Sequence, residues 1–171
     1  MVEAVTEKVK LQCIEDQVIE VDKAQVAQYS SLIKGLIDDN AEDPDTPLPI
    51  AQVTSSVMQK VMVFVAHMHE TNTEPEIEQP LPSNNLEQHV DAWYAEYIIK
   101  DVDQALLFDI VLAANYLDIK PLLRLGSARI AALIKGKSIE EIRQFFQMDN
   151  DFTPEEEERI REENQFAAEY F

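Results

Sequence analysis

The chain has 171 residues, 46% of them hydrophobic, with 14 Lys and Arg against 33 Asp and Glu for a net charge of −19. That apolar share supports a packed core and argues against a disordered chain. The charge disfavours nucleic acid and anionic membrane surfaces, which are held through Lys and Arg, and suits a basic protein partner.

Val9, Leu11 and Cys13 alternate with polar residues, Glu15-Asp16-Gln17 interrupts, and Val18-Ile19-Glu20-Val21 follows, so the pattern predicts a strand hairpin. Asp22 caps a short helix from Lys23 to Tyr29, and a second helix from Ser31 to Ile37 carries Leu32, Ile33, Leu36 and Ile37. The acidic stretch 38–47 contains two prolines and reads as a mobile loop. Leu48-Pro49-Ile50 suits a short edge strand, where proline is tolerated. Ser55 to His69 reads as a helix with Val57, Met58, Val61, Met62, Val65 and Met68 on its inner face.

Residues 70–90 bring further prolines and acids with no period, and read as a flexible insertion. The rest is helical by pattern. Asp91 to Lys100 carries Trp93, Tyr97 and Ile98; Asp103 precedes Ala105 to Leu117, which is apolar nearly all round and expected to be buried on most sides or shared between two layers. Pro121 opens a helix that runs to Lys135 and stops at Gly136. Ser138-Ile139-Glu140-Glu141 and Thr153-Pro154-Glu155-Glu156 are capping boxes for two last helices. Those two helices carry Ile142, Phe146, Phe152, Ile160 and Phe166, too little apolar surface for a core of their own. Strands and helices, then a break, then helices give the α+β class.

Catalytic chemistry finds little support. Three glycines, Gly35, Gly126 and Gly136, form no phosphate-cradling loop or nucleophile elbow. His67, His69 and His89 lack metal-ligand spacing, so no metal is expected. The acids from Glu155 to Glu158 suit a solvated helix start better than an acid–base pair. Cys13, on the inward face of its strand, reads as a small core residue, and a single cysteine fits a reducing compartment. Met1 to Glu7 has no basic region leading into an apolar stretch, and no run approaches membrane-spanning length. The expected location is cytoplasm and nucleus, with no membrane, nucleic-acid or cofactor partner.

Several ordered blocks carry a family resemblance: Val9-Lys10-Leu11-Gln12, Glu20-Val21-Asp22, Pro47-Leu48-Pro49, Val102-Asp103-Gln104, and Leu112 through Lys120 (Leu-Ala-Ala-Asn-Tyr-Leu-Asp-Ile-Lys). They continue with Ile134-Lys135-Gly136-Lys137, Glu140-Glu141-Ile142-Arg143, Asn150 through Glu157, and Glu163-Asn164-Gln165. In these blocks the chain resembles the S-phase-kinase-associated adaptors of SCF (Skp–cullin–F-box) ubiquitin ligases. The resemblance implies a BTB/POZ fold over 1–137, with flexible acidic loops near 38–47 and 70–90, and F-box-binding helices over 138–171. It implies a non-catalytic adaptor that bridges an F-box substrate receptor to a cullin, and through the cullin meets a RING protein and a ubiquitin-conjugating enzyme.

By that resemblance, Asn115 and Tyr116 contribute to cullin binding. Leu123, Ile130, Ile134, Ile142, Phe146, Phe152, Ile160 and Phe166 build the F-box surface. A weak homodimer of the free protein is a further expectation. Pro154 stands in a context where the family's proline is hydroxylated in some protists. The pattern departs at Phe166, where the family has Trp, at Arg124, where it has an acid, and at Gly126-Ser127, where it has Thr-Cys. The competing readings are an acidic chaperone, suggested by charge alone, and a self-associating BTB scaffold.

Overall fold

The computed structural model describes residues 7–43 and 45–168, without the side chains at 161 and 164–168. Strand β1 (Lys8–Gln12) pairs antiparallel with β2 (Val18–Asp22), setting Val9 opposite Val21 and Leu11 opposite Ile19. The hairpin turn closes through Cys13 N–H to Gln17 O at 2.8 Å, with Asp16 in the left-handed region at φ 60°. Aspartate tolerates that conformation better than most side chains do. Strand β3 (Leu48–Pro49) runs parallel to β1 on its other side, giving the order β2-β1-β3. Pro49 therefore lies on an edge, where its missing N–H breaks no ladder.

Helices α1 (Lys23–Tyr29), α2 (Ser31–Asp39) and α3 (Ser55–Thr71) follow the pattern of caps. Asp22 accepts from Gln25 N–H at 3.0 Å, Ser30 from Ile33 N–H at 3.1 Å and Thr54 from Val57 N–H at 3.4 Å. Each satisfies a backbone donor that the first helical turn leaves open. Helix α4 (Ala92–Ile99) starts at Asp91 and α5 (Gln104–Tyr116) at Asp103, again with side-chain caps at 2.9 and 2.8 Å. Helix α6 (Lys120–Ile134) holds Pro121 in its first turn. The core gathers Leu11 from the sheet, Ile33, Met58, Phe64 and Met68 from α2 and α3, and Ile98, Leu107, Ile110 and Leu122 from the later helices.

The stretch without sequence period, 72–90, is held by single anchors rather than by a face. Pro75 and Leu86 are buried, and Ile77 and Leu81 pack on the core. Tyr94 Oη donates to Thr73 O at 2.7 Å, and Lys135 Nζ donates to Leu81 O and Pro82 O at 2.6 and 2.9 Å. Helix α5 packs against both α3 and α6, the shared position its composition allowed, and leaves one stripe open. Leu107, Ile110, Ala113 and Ala114 are buried, whereas Leu112 is 65% exposed. At 100° per residue, Leu112 lies opposite Ile110 and Ala114.

The chain divides into two compact units, Met1–Lys135 and Gly136–Phe171. The second begins at Gly136, whose φ of 80° few other residues adopt without strain. It contains α7 (Ile139–Phe146) and α8 (Pro154–Ala168).

Candidate partner-binding surfaces

Helix α5 ends in a tightly bonded corner. Ile119 N–H donates to Ala114 O at 2.8 Å and Asp118 N–H to Asn115 O at 3.2 Å, with Asp118 at φ 52°. This double bond pattern fixes a helix end through one left-handed residue, here an aspartate where glycine is commonest. It presents Asn115 exposed and Tyr116 half-buried, its ring packed on the core. Leu112 precedes them by three and four positions and so shares their stripe. Sequence reading selected Asn115 and Tyr116 and passed over Leu112, although the spacing that places it beside them was visible.

Helix α6 carries Leu123, Ile130 and Ile134, each half-buried in the first unit. Leu123 also lines an open groove of about 440 Å³ with Ile77, Leu81, Ala128 and Ala131. Two of the residues that depart from the family pattern on this helix, Arg124 and Gly126, have local settings. Arg124 Nη2 pairs with Glu74 Oε2 at 2.9 Å and ties the 72–90 segment to α6. A Cβ at Gly126 would lie 2.5 Å from Val111 Cγ2, so glycine lets α6 approach α5 closely.

The second unit is held by caps and polar bonds. Ser138 and Glu141 exchange bonds at 3.2 and 2.8 Å, forming the capping box of α7. Thr153 and Glu156 repeat the arrangement at α8, with Thr153 N–H to Glu156 Oε2 at 2.9 Å and Glu156 N–H to Thr153 Oγ1 at 3.3 Å. The Thr153 backbone N–H, then its hydroxyl, hold the Glu156 carboxyl below its ordinary value. Between the helices, Glu157 Oε1 accepts from Arg143 Nη1 at 3.0 Å and from Asn150 Nδ2 at 2.9 Å. The Arg143 guanidinium also lies 5.6 Å from the centre of the Phe152 ring, within cation–π range. This network accounts for the Asn150–Glu157 block as a helix corner.

No residue of α7 is buried. Ile142 and Ile160 are half-buried, Phe146 and Phe152 are exposed, the latter by 46%, and the Phe166 side chain lies outside the described residues. Pro154 stands exposed at the first position of α8, where its fixed φ suits the helix.

The histidines have structural partners. His67 stacks on Trp93 with ring centres 3.5 Å apart, His69 Nδ1 shares a bond with Gln28 Oε1 at 3.1 Å, and His89 Nε2 shares one with Ser83 Oγ at 2.8 Å. Burial, then the Glu15 carboxylate, push the Cys13 thiol above its ordinary value, which opposes thiolate formation. Among the described residues no group of three or more His, Cys, Asp or Glu is placed to hold a metal ion, and no helix is long and apolar enough to cross a membrane.

A small three-stranded sheet wrapped by helices, followed by a separate helical pair, defines an α+β, BTB/POZ-like protein whose exposed apolar residues suit protein partners. Residues 7–70 match the model described as Skp1 family, tetramerisation domain, and residues 120–167 that described as Skp1 family, dimerisation domain. An S-phase kinase-associated protein 1 homolog of Tetrahymena thermophila is 47% identical, over 95% of each chain. The E3 ubiquitin ligase complex SCF subunit sconC of Arthroderma benhamiae is 41% identical, over 99% of this chain and 100% of its own. The SCF ubiquitin ligase complex protein SKP1a of Dictyostelium discoideum is 40% identical, over 93% of this chain and 94% of its own. The chain belongs to the Skp1 family.

Proposed function

We propose that this protein is a bridging subunit of an SCF-type ubiquitin ligase, holding an F-box substrate receptor and a cullin at once and contributing no catalytic residue. Relatives aligned over nearly the whole chain are named as a subunit and as a protein of that complex. The observation that carries the reading is the second unit. It pairs two well-capped helices with exposed Phe146 and Phe152 and a set of half-buried side chains, which suits a helical partner that covers them. Leu123, Ile130 and Ile134 of α6 supply further apolar contacts to the F-box. Asn115, Tyr116 and Leu112 form the cullin stripe, with Tyr116 offering a large apolar ring and one polar end.

Ubiquitin transfer then depends on proximity, which the cullin provides by carrying a RING protein and its ubiquitin-conjugating enzyme. The free protein self-associates weakly through the same apolar residues, and an F-box segment suppresses this. Pro154 is accessible for hydroxylation, and intact mass of the protein from its native cell reads that directly. Isothermal titration with a cullin N-terminal segment and an F-box segment tests the assignment. Replacing Asn115 and Tyr116 together by alanine weakens cullin binding by about a hundredfold and leaves F-box affinity unchanged. Replacing Ile142 and Phe152 does the reverse. Equal loss of both partners in either variant contradicts two separate surfaces.

A further inference from the structure

We propose that Ser30 is the positioning residue for the cullin-binding end of α5, although it sits 87 residues from that helix end in the chain. This rests on the cullin surface assigned above. Among the described residues, Ser30 is the one polar side chain that is fully buried, at 1% exposure. Its hydroxyl donates to Leu117 O at 2.6 Å and accepts from Ile33 N–H at 3.1 Å. Its own N–H donates to Val26 O at 2.9 Å and its carbonyl accepts from Lys34 N–H at 3.0 Å. Every polar group of Ser30 is therefore committed, and the residue joins the end of α1, the start of α2 and the end of α5.

Leu117 follows Tyr116 directly. Its carbonyl is one of those that a helix C-terminus leaves without an intrahelical donor, and here it is enclosed in the core, where water is a poor substitute. The adjoining Asp118 is left-handed, a conformation that costs an aspartate more than a glycine and that neighbouring bonds must hold. The Ser30 hydroxyl supplies such a bond on one side of Asp118, and the Ile119 N–H to Ala114 O bond supplies it on the other. Without Ser30, the Leu117 peptide plane turns to seek another donor. The Leu117 carbonyl and the Asp118 N–H belong to one planar peptide, so that turn also releases the 3.2 Å bond from Asp118 N–H to Asn115 O and loosens the last turn of α5, which carries Asn115 and Tyr116. A Ser30 that served only general stability would lower both partner affinities together or neither.

The test measures cullin and F-box affinities for the full chain carrying Ser30→Ala, well below its unfolding temperature. The expected result is a cullin affinity reduced by about tenfold, with F-box affinity unchanged within about twofold. Ser30→Cys keeps the packing while weakening the donor, and gives the same selective loss, smaller, should the alanine variant fold poorly. Leu86→Ala, a core truncation elsewhere in the first unit, lowers the unfolding temperature and leaves cullin affinity intact. A wild-type protein that binds cullin and loses it on Tyr116→Ala, but keeps full affinity in both Ser30 variants, overturns this inference alone. A wild-type protein that does not bind cullin overturns the surface assignment and this inference with it. Equal loss of cullin affinity in Leu86→Ala reduces Ser30 to a residue of general stability.

Discussion

The residues up to Lys135 and those from Gly136 onward are ordered by different means. The first unit encloses side chains from sheet and helices in one cluster, with Leu11, Ile33, Phe64, Ile110 and Leu122 shut off from solvent. In the second, α7 has no buried residue, and both helices rest on capping boxes and on the Arg143–Glu157–Asn150 bonds. Burial of large apolar groups stabilises by kilocalories each, whereas an exposed cap or ion pair contributes about 1 kcal/mol or less. The first unit is a scaffold in its own right. The second, with exposed Phe146 and Phe152, suits completion by a partner, as the proposed adaptor role requires.

The sharpest way to break this comparison is to truncate one large side chain in each unit. Phe64→Ala removes a ring from the closed core and should cost about 3–5 kcal/mol in urea unfolding. Ile142→Ala should change the same transition by less than about 1 kcal/mol, because its surroundings are already half open. Comparable losses would mean that the second unit has a core of its own.

A smaller effect sharpens the account of the α5–α6 contact. On helix propensity alone Gly126→Ala should stabilise α6 by about 0.5–1 kcal/mol. The approach of Val111 predicts the opposite sign, a loss of about 1–3 kcal/mol, since a β-branched side chain has little rotamer freedom with which to yield. Thermal unfolding decides the sign. Val111→Ala in the same chain should remove most of the penalty.

Much of this was legible in the amino-acid sequence because it is local. The hairpin shows in the alternation of Val9, Leu11 and Cys13, and the starts of α1, α7 and α8 show in the capping residues Asp22, Ser138 and Thr153. What did not show is what depends on distant partners. Nothing near Ser30 announces a bond to Leu117, and nothing in the aperiodic stretch 72–90 marks Leu86 as fully enclosed. Composition reports how apolar α5 is, while only its neighbours decide that Leu112 faces outward. Asn115, Tyr116 and the F-box residues came from family resemblance, and the geometry now gives each a setting, apart from the Phe166 side chain, which lies outside the described residues.

The smallest effect is one of pH. The Glu156 carboxyl is held below its ordinary value of 4.5 by the Thr153 backbone N–H and hydroxyl. A group whose value is depressed on folding stabilises above the unfolded value and loses that contribution as pH falls through the folded one. Helicity of α8, followed by circular dichroism, should therefore weaken slightly below pH 4.5, and Glu156→Gln should flatten that response.

The bridging claim is tested most directly by sedimentation velocity on a mixture of the full chain, an F-box segment and a cullin N-terminal segment. The account predicts one species containing all three, with no association between the F-box and cullin segments when the chain is left out. Two binary complexes that exclude one another, or an F-box–cullin complex that forms without the chain, would contradict it.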